Sequence, residues 1–257
     1  MAEPRLNAEV LLAYAMHRER VYFFAHPEQE LREVEWIHYG RYLDERIKGK
    51  PTQYITRRQE FYGRDFRVTP DVLIPRPETE LLVEAVLERR PKLGTLIDGG
   101  TGSGCIAVTL ALEGRGGRVF GVDLSAEALR VARHNAAVHC ARVDCIEGDL
   151  LAAFGDGVAD VVVSNPPYVP LADLPGMQRE VRGFEPHLAL FAGVSGMAVY
   201  ERLVPEARRV LKPGGLLALE LGFGLAEAVA DLVRNWNGVR VLPDLAGIPR
   251  VLVCENS

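Results

Sequence analysis

Four short stretches of the chain hold residues whose types and spacing could do chemistry. DGGTGSG at 98–104 places Gly100, Gly102 and Gly104 in a G-x-G-x-G pattern. Glycines so spaced let the backbone turn sharply and come close to a ligand. The pattern misses the G-x-G-x-x-G of a dinucleotide fold, because position 105 is cysteine, and no Lys-Ser/Thr pair makes it a phosphate loop. Asp123 ends the apolar GVD about 20 residues further on, where a carboxylate can accept hydrogen bonds from both hydroxyls of a ribose. A helix cap is the plainer use for it, but Ser125 already fills that role for AEALRVA. In EGDL, Asp149 could accept from the amino group of an adenine, and Leu150 could border the ring. Taken in order, these acids fit an adenosyl ligand.

The fourth stretch is SNPPY at 164–168, directly after the apolar ADVVV. Pro166 and Pro167 lack an N–H and fix φ, so they stop a strand and leave carbonyls aimed away from its ladder. Asn165 adds a side-chain carbonyl, and together these acceptors can hold the two hydrogens of a planar NH₂ group. Tyr168 offers a ring to stack on a flat amide or base.

These residues need elements to position them. From Thr95 the rhythm is strand, glycine turn, helix: TLIDGG then GCIAVTLAL, GRVFGVD then SAEALRVARHNAAVH, DCIEGD, ADVVVS, GMAVYERLVPEARRVL, then KPGG into LLALEL. LAEAVADLVRNW predicts a further helix, and VRVLPD and PRVLVCE predict two last strands. Alternating strands and helices imply a mainly parallel sheet covered on both faces, with ligands at the carboxyl ends of its strands. Only DLAGI joins the last two strands, too short for a parallel crossover, so they form an antiparallel hairpin at the sheet edge.

The first 50 residues differ. AEVLLAYAMHRERVYFFA and VEWIHYGRYLDERIKG read as two helices, with Val10, Leu11, Tyr14, Trp36, Tyr39, Tyr42, Leu43 and Ile47 as a packing stripe and Pro27 in the turn between them. Residues 51–75 alternate apolar and polar and read as one or two short antiparallel strands, a connector. IPRPETELLVEAVLERR then starts a helix near Pro77. Arg76 and Glu78 of that segment either line the mouth of the site, contact a ligand carboxylate, or form a salt-bridged joint between the domains.

Composition narrows the classes. The 257 residues are 48% hydrophobic and 25% charged with a net charge of −5, which suits a globular α/β protein and lacks a basic nucleic-acid footprint. Cys105, Cys140, Cys145 and Cys254 have no metal-site spacing and read as reduced thiols. No apolar run reaches a membrane span, and the first residues carry no signal-peptide pattern, so the expected location is the cytoplasm.

PTQYI, EFYG, VLIPRPETE, DGGTGSGCIA, VDLSAEAL, SNPPYV, FEPHLAL and PGGLLALELG, in this order, resemble the peptide chain release factor glutamine methyltransferases of the HemK/PrmC type, class I enzymes dependent on S-adenosylmethionine. The likeness runs from about Pro4 to the end of the chain, and PRPETE is its sharpest mark. It implies a seven-stranded, mostly parallel Rossmann-like methyltransferase sheet over 76–257, a β-hairpin connector over 51–75 and a small helical substrate-docking domain over 1–50. It implies S-adenosyl-L-methionine as cofactor, with S-adenosyl-L-homocysteine as product. The implied substrate is the glutamine of the Gly-Gly-Gln loop of class 1 release factors, methylated by a monomeric enzyme. Asp98, Gly100, Thr101, Gly102, Ser103 and Gly104 would then serve the methionine side, Asp123 the ribose, and Asp149 and Leu150 the adenine. Asn165 would border the cofactor and, with Pro166, Pro167 and Tyr168, hold the substrate amide.

The chain departs from the family pattern at Arg57, where glycine is typical, at Gly99, where an apolar residue is usual, and at Leu225, where glutamine is common. Relatives have about one more helix before PRLNAEVLL, so a shortened docking region is expected. Two other functions compete. A nucleic-acid exocyclic-amine methyltransferase shares NPPY but wants a basic face, and residues 1–67 hold 12 Lys/Arg against 11 Asp/Glu. A cofactor-binding protein without catalysis would have no use for an intact NPPY.

Overall fold

The computed structural model of the chain describes residues 3–257. Its first part is helical. α1 (Pro4–Met16) has Pro4 in its first turn, where the missing N–H has no helical partner to lose. It ends at His17 in left-handed backbone, so the single helix expected over 8–25 is two, with α2 (Val21–Ala25) after the break. α3 (Glu33–Ile47) follows, capped by Glu35, whose carboxylate accepts the Arg32 N–H at 2.8 Å. The expected packing stripe holds only in part. Leu11 is buried and the Tyr14 and Tyr42 rings lie 5.2 Å apart. Trp36 and Ile47 are 63% and 68% exposed, because α1 and the short helix at Thr52–Thr56 cover one side of α3 and leave these two on the other.

The connector also differs from its reading. The hairpin is present as β1 (Arg58–Phe61) and β2 (Arg64–Arg67), with Phe61 and Phe66 buried edge to face. TQYIT is instead the short helix α4 (Thr52–Thr56). Tyr54 and Ile55 are buried, and the Tyr54 hydroxyl donates to the Val72 carbonyl at 2.7 Å, so packing overrides their β preference. The helix stops at Arg57, at φ 58°. That left-handed geometry explains why a glycine suits the position.

A 3₁₀ turn (Pro77–Thr79) leads into α5 (Glu80–Arg89). Then come β3 (Thr95–Gly99), α6 (Cys105–Glu113), β4 (Arg118–Asp123), α7 (Ala126–Val138), β5 (Val143–Glu147), β6 (Ala159–Ser164), α8 (Arg179–Phe184), α9 (Ala198–Val210), β7 (Leu211–Glu220), α10 (Ala226–Leu232), β8 (Asn237–Pro243) and β9 (Pro249–Glu255). The seven-stranded sheet has the order β5-β4-β3-β6-β7-β9-β8. β5, β4, β3, β6 and β7 run parallel, while β9 is antiparallel to both β7 and β8, which is the expected terminal hairpin. Within β7 the register jumps from Leu211 to Leu216, so KPGG is looped out ahead of LLALEL.

Alternation along the strands builds two cores. Leu96, Val161, Val163, Leu216 and Ala218 pack with Leu82, Val86, Ile106 and Leu110 of α5 and α6. Ile97, Val162, Leu217 and Leu219 pack with Tyr200, Leu203, Ala207 and Val229 of α9 and α10. A sheet buried on both faces explains why β6 is a run of valines rather than an apolar–polar alternation. α10 stops at Leu232, short of the expected Trp236, which is buried as β8 begins. The chain between β6 and α9 was read without structure, yet it holds α8 and 3₁₀ turns at Leu171–Gly176 and His187–Ala189. These pieces are too short to leave a periodic pattern.

Candidate active site

β3 has β4 on one side and β6 on the other, so the connections from its carboxyl end diverge and leave a crevice there. The crevice is a cavity of about 250 Å³. Gly100, Thr101, Gly102, Ser103, Asp123, Asp149, Leu150, Asn165 and Pro167 all line it. Thus residues spread over 68 positions, read from sequence as one site, do converge. Asp98, Gly104, Pro166 and Tyr168 are not among the lining residues, although each adjoins one that is.

The glycine loop is held through its backbone groups, one of which, the Ser103 carbonyl, accepts from Asn135 Nδ2 of α7 at 2.8 Å. Gly100, Gly102 and Gly104 all have positive φ (72°, 56° and 79°), and a Cβ at Gly104 would stand 3.1 Å from that of Ala132. Asp98 is fully buried, and its Oδ2 accepts the Thr101 hydroxyl at 2.6 Å. Its Oδ1 has no partner among the described residues, and burial pushes the carboxyl up to about 7. Asp123 accepts the Gly102 N–H at 2.8 Å through Oδ2 and the Ser125 N–H at 2.9 Å through Oδ1. Each oxygen keeps a second lone pair for a ligand hydroxyl. Ser125 caps α7 as expected, accepting from the Ala128 N–H at 3.1 Å. Leu150 sits at φ 49°, left-handed backbone for a branched side chain at the cavity wall. Asp149 is paired with Arg202, Nη2 to Oδ2 at 2.7 Å, so sequence reasoning missed a cation at the cavity wall.

The NPPY turn is held by side chains from far away. Asn165 Nδ2 donates to the Thr79 hydroxyl at 3.3 Å, and Thr79 donates to Glu220 Oε2 at 2.6 Å. Tyr168 donates its hydroxyl to Glu220 Oε1 at 3.3 Å, and its partly buried ring packs against the core of α9 and α10. Burial pushes the Tyr168 hydroxyl upward and lifts Glu220 to about 7 against the hydrogen bonds from Thr79 and Tyr168. Two glycines pinch the turn: a Cβ at Gly196 would stand 2.4 Å from the Tyr168 carbonyl oxygen, and one at Gly222 2.9 Å from the Tyr168 ring. Sequence reading passed over Thr79 for its neighbours Arg76 and Glu78. A carboxylate closing four apolar residues, in LLALE, was the signal that could have found Glu220.

Arg76 is at the mouth of the site, and its salt bridge lies within the 76–257 part, not across a domain joint. It lines the cavity and pairs with buried Glu185 at 2.6 Å, while Glu78 is exposed. Arg76 also borders a second, larger cleft of about 1530 Å³ between the N-terminal helices and α8. Arg46 of α3 crosses that cleft to Glu180 of α8 at 2.8 Å. Among the described residues no cluster of His, Cys, Asp or Glu could hold a metal ion, and no helix is long and apolar enough to cross a membrane.

The cavity fits an adenosyl ligand: a glycine cradle, a ribose-side carboxylate with spare acceptors, and an apolar floor. Comparison with known proteins agrees. The family model for the PrmC N-terminal domain matches residues 1–56, and that for the methyltransferase small domain matches 77–174. The release factor glutamine methyltransferase of Koribacter versatilis is 49% identical over 97% of this chain and 90% of its own length. That of Moorella thermoacetica is 46% identical over 96% and 89%. Among solved structures, the T. thermophilus 16S rRNA N2 G1207 methyltransferase, in complex with AdoMet and guanosine, is 23% identical. It aligns over 78% of this chain and 50% of its own with a TM-score of 0.59, which shows a shared fold. With relatives so similar along nearly its whole length, the chain belongs to the release factor glutamine methyltransferase family.

Proposed function

We propose that this chain methylates the side-chain nitrogen of the glutamine in the Gly-Gly-Gln loop of class 1 peptide chain release factors. Bound in the cavity, S-adenosyl-L-methionine supplies an electrophilic methyl group and leaves as S-adenosyl-L-homocysteine. Asp123 takes the ribose hydroxyls, the loop of Gly100 to Ser103 the methionine end, and Asp149 and Leu150 the adenine.

The observation that carries the reading is the orientation of Asn165. Its Nδ2 is turned to Thr79, which leaves Oδ1 as a fixed acceptor at the wall of the cavity. A substrate amide is a poor nucleophile because its lone pair is delocalised. Asn165 Oδ1 and the Pro166 carbonyl accept its two hydrogens, aim the lone pair at the methyl group and stabilise positive charge growing on nitrogen. Much of the acceleration is positioning. The N-methylated amide then releases one proton to water, and no strong general base is needed.

The division into a helical docking part (1–50), a hairpin connector (51–75) and a methyltransferase part (76–257) belongs to this reading. The cleft beside Arg76 supports it, since it runs from the N-terminal helices towards the site. A monomer acting in the cytoplasm completes the proposal.

The test is transfer of labelled methyl to a purified class 1 release factor. A Gly-Gly-Ala variant, duplex DNA and ribosomal RNA serve as parallel acceptors. Label on the wild-type factor alone is expected. Label on a nucleic acid would make the Asn165 pocket a base pocket and overturn the substrate assignment.

A further inference from the structure

We propose that Glu220 and Thr79 are positioning residues that lock the side-chain amide of Asn165 with its oxygen towards the substrate. The proposal deepens the function given above and rests on it for the meaning of Asn165, but not for the geometry of the lock.

The Thr79 hydroxyl has one hydrogen. Glu220 Oε2 stands 2.6 Å away, and an ionised carboxylate only accepts, so that hydrogen points to Glu220. What remains for Asn165 is an oxygen lone pair, which only Nδ2 can meet, and it does so at 3.3 Å. The amide has one orientation as long as Glu220 is ionised. Protonated Glu220 can itself donate to Thr79. The threonine hydrogen is then free to meet Asn165 Oδ1, and the reversed amide presents an NH₂ group to the substrate's own NH₂. Two donors face each other, and the substrate nitrogen loses its acceptor.

The lock is built into the fold. Glu220 is 3% exposed at the end of β7, and Thr79 is 2% exposed in the 3₁₀ turn before α5. The backbone carbonyl of Glu220 accepts the Tyr200 hydroxyl of α9 at 2.7 Å, which fixes the strand end. Several ionisable groups face the carboxylate. They are Tyr168 after β6, Tyr200 on α9, Cys105 at the start of α6, Glu78 in the 3₁₀ turn, and Arg250 on β9, which Asp244 already holds at 2.9 Å. None of them is a full counter-charge at hydrogen-bonding range, so burial pushes the Glu220 carboxyl up to about 7.

The test has two arms, run on wild type, Glu220→Gln, Thr79→Val and Thr79→Ser. In the first, the side-chain NH₂ resonances of Asn165, assigned by their loss in Asn165→Asp, are followed from pH 5.5 to 8.5 without substrate. The expected result is a shift with a midpoint near 7 in wild type and Thr79→Ser and no such shift in Glu220→Gln or Thr79→Val. In the second, kcat on the release factor falls roughly tenfold in Glu220→Gln and Thr79→Val, about the value of one hydrogen bond to a charged group. Thr79→Ser restores it, and the acidic limb of kcat near 7 disappears from Glu220→Gln. Cofactor affinity stays within about threefold in all four, since none touches the glycine loop. Wild-type kcat in Thr79→Val, an unchanged pH limb in Glu220→Gln, or resonances that ignore both substitutions would overturn the lock. Inactivity of the wild type on release factors would overturn the substrate reading instead and leave the resonance arm to decide. Should Glu220→Gln fail to fold, the threonine pair decides alone.

Discussion

The cavity has two halves, and they are held by different means. The glycine-loop half is organised around main-chain groups: the Gly102 and Ser125 amides on Asp123, positive φ at three glycines, and the Ser103 and Gly99 carbonyls, which accept from Asn135 and Ser164. The NPPY half is organised by side chains from β7, the 3₁₀ turn before α5 and α9, converging on Glu220. Each half contains one buried carboxyl lifted to about 7, Asp98 in the first and Glu220 in the second. Both halves use tertiary contacts, for Asn135 donates to the Ser103 carbonyl and Ser164 to that of Gly99, but only in the second do side-chain groups alone decide how the wall residue is turned. A ligand that changes little needs a fixed cradle. A pocket that must present one acceptor in one orientation needs a relay that chooses between the two faces of an amide.

Substitutions that separate the halves break this comparison most sharply. Asn165→Ala is expected to lower kcat by on the order of 100-fold or more while cofactor affinity by calorimetry stays within about threefold. Equal loss of both would merge the two halves into one. Asn165→Asp keeps acceptors and should retain part of the activity. Asp123→Ala is the mirror case. Cofactor binding should weaken by about tenfold or more, with kcat at saturating cofactor mostly kept.

The paired carboxyls give a smaller effect. Each has a folded pKa raised above its ordinary value, so each binds more protons folded than unfolded between about 4 and 7. Their stability contribution is full below that window and is lost as pH rises through about 7. The melting temperature of the cofactor-free protein should therefore fall between pH 5 and pH 8, by on the order of 5 °C. Asp98→Asn and Glu220→Gln should each flatten the slope. Activity runs the other way, rising as Glu220 ionises. The smallest expected effect lies outside both halves: Arg57→Gly relieves the left-handed residue after α4 and should stabilise by ~0.5 kcal/mol in urea unfolding, with kcat unchanged.

The same difference decides what could be read from sequence. The alternation of strands and helices, the terminal hairpin and the glycine loop were legible because period, turn chemistry and strand ends are local signals. Asp123, Asp149 and Asn165 were legible because each closes or follows an apolar run at a strand end. Thr79 and Glu220 were not, since their partners lie 86 and 52 or more positions away in the chain. The bond from the Tyr168 hydroxyl to Glu220 was hidden for the same reason, its partner being distant in the chain. TQYIT was read as strand because its β preference is real, and only the burial of Tyr54 and Ile55 made it a helix.

Gly196 and Gly222 touch no ligand and would draw no attention in a list of reactive groups, yet they close on Tyr168 from two directions. In a saturation library selected for enzyme activity, both positions should tolerate almost nothing, alongside Asn165 itself. Alleles there would be scored as active-site lesions by their phenotype, although the damage is steric and sits behind the wall of the pocket. Inherited or engineered changes at these two codons are therefore poor evidence about substrate contacts and good evidence about how tightly the turn is clamped.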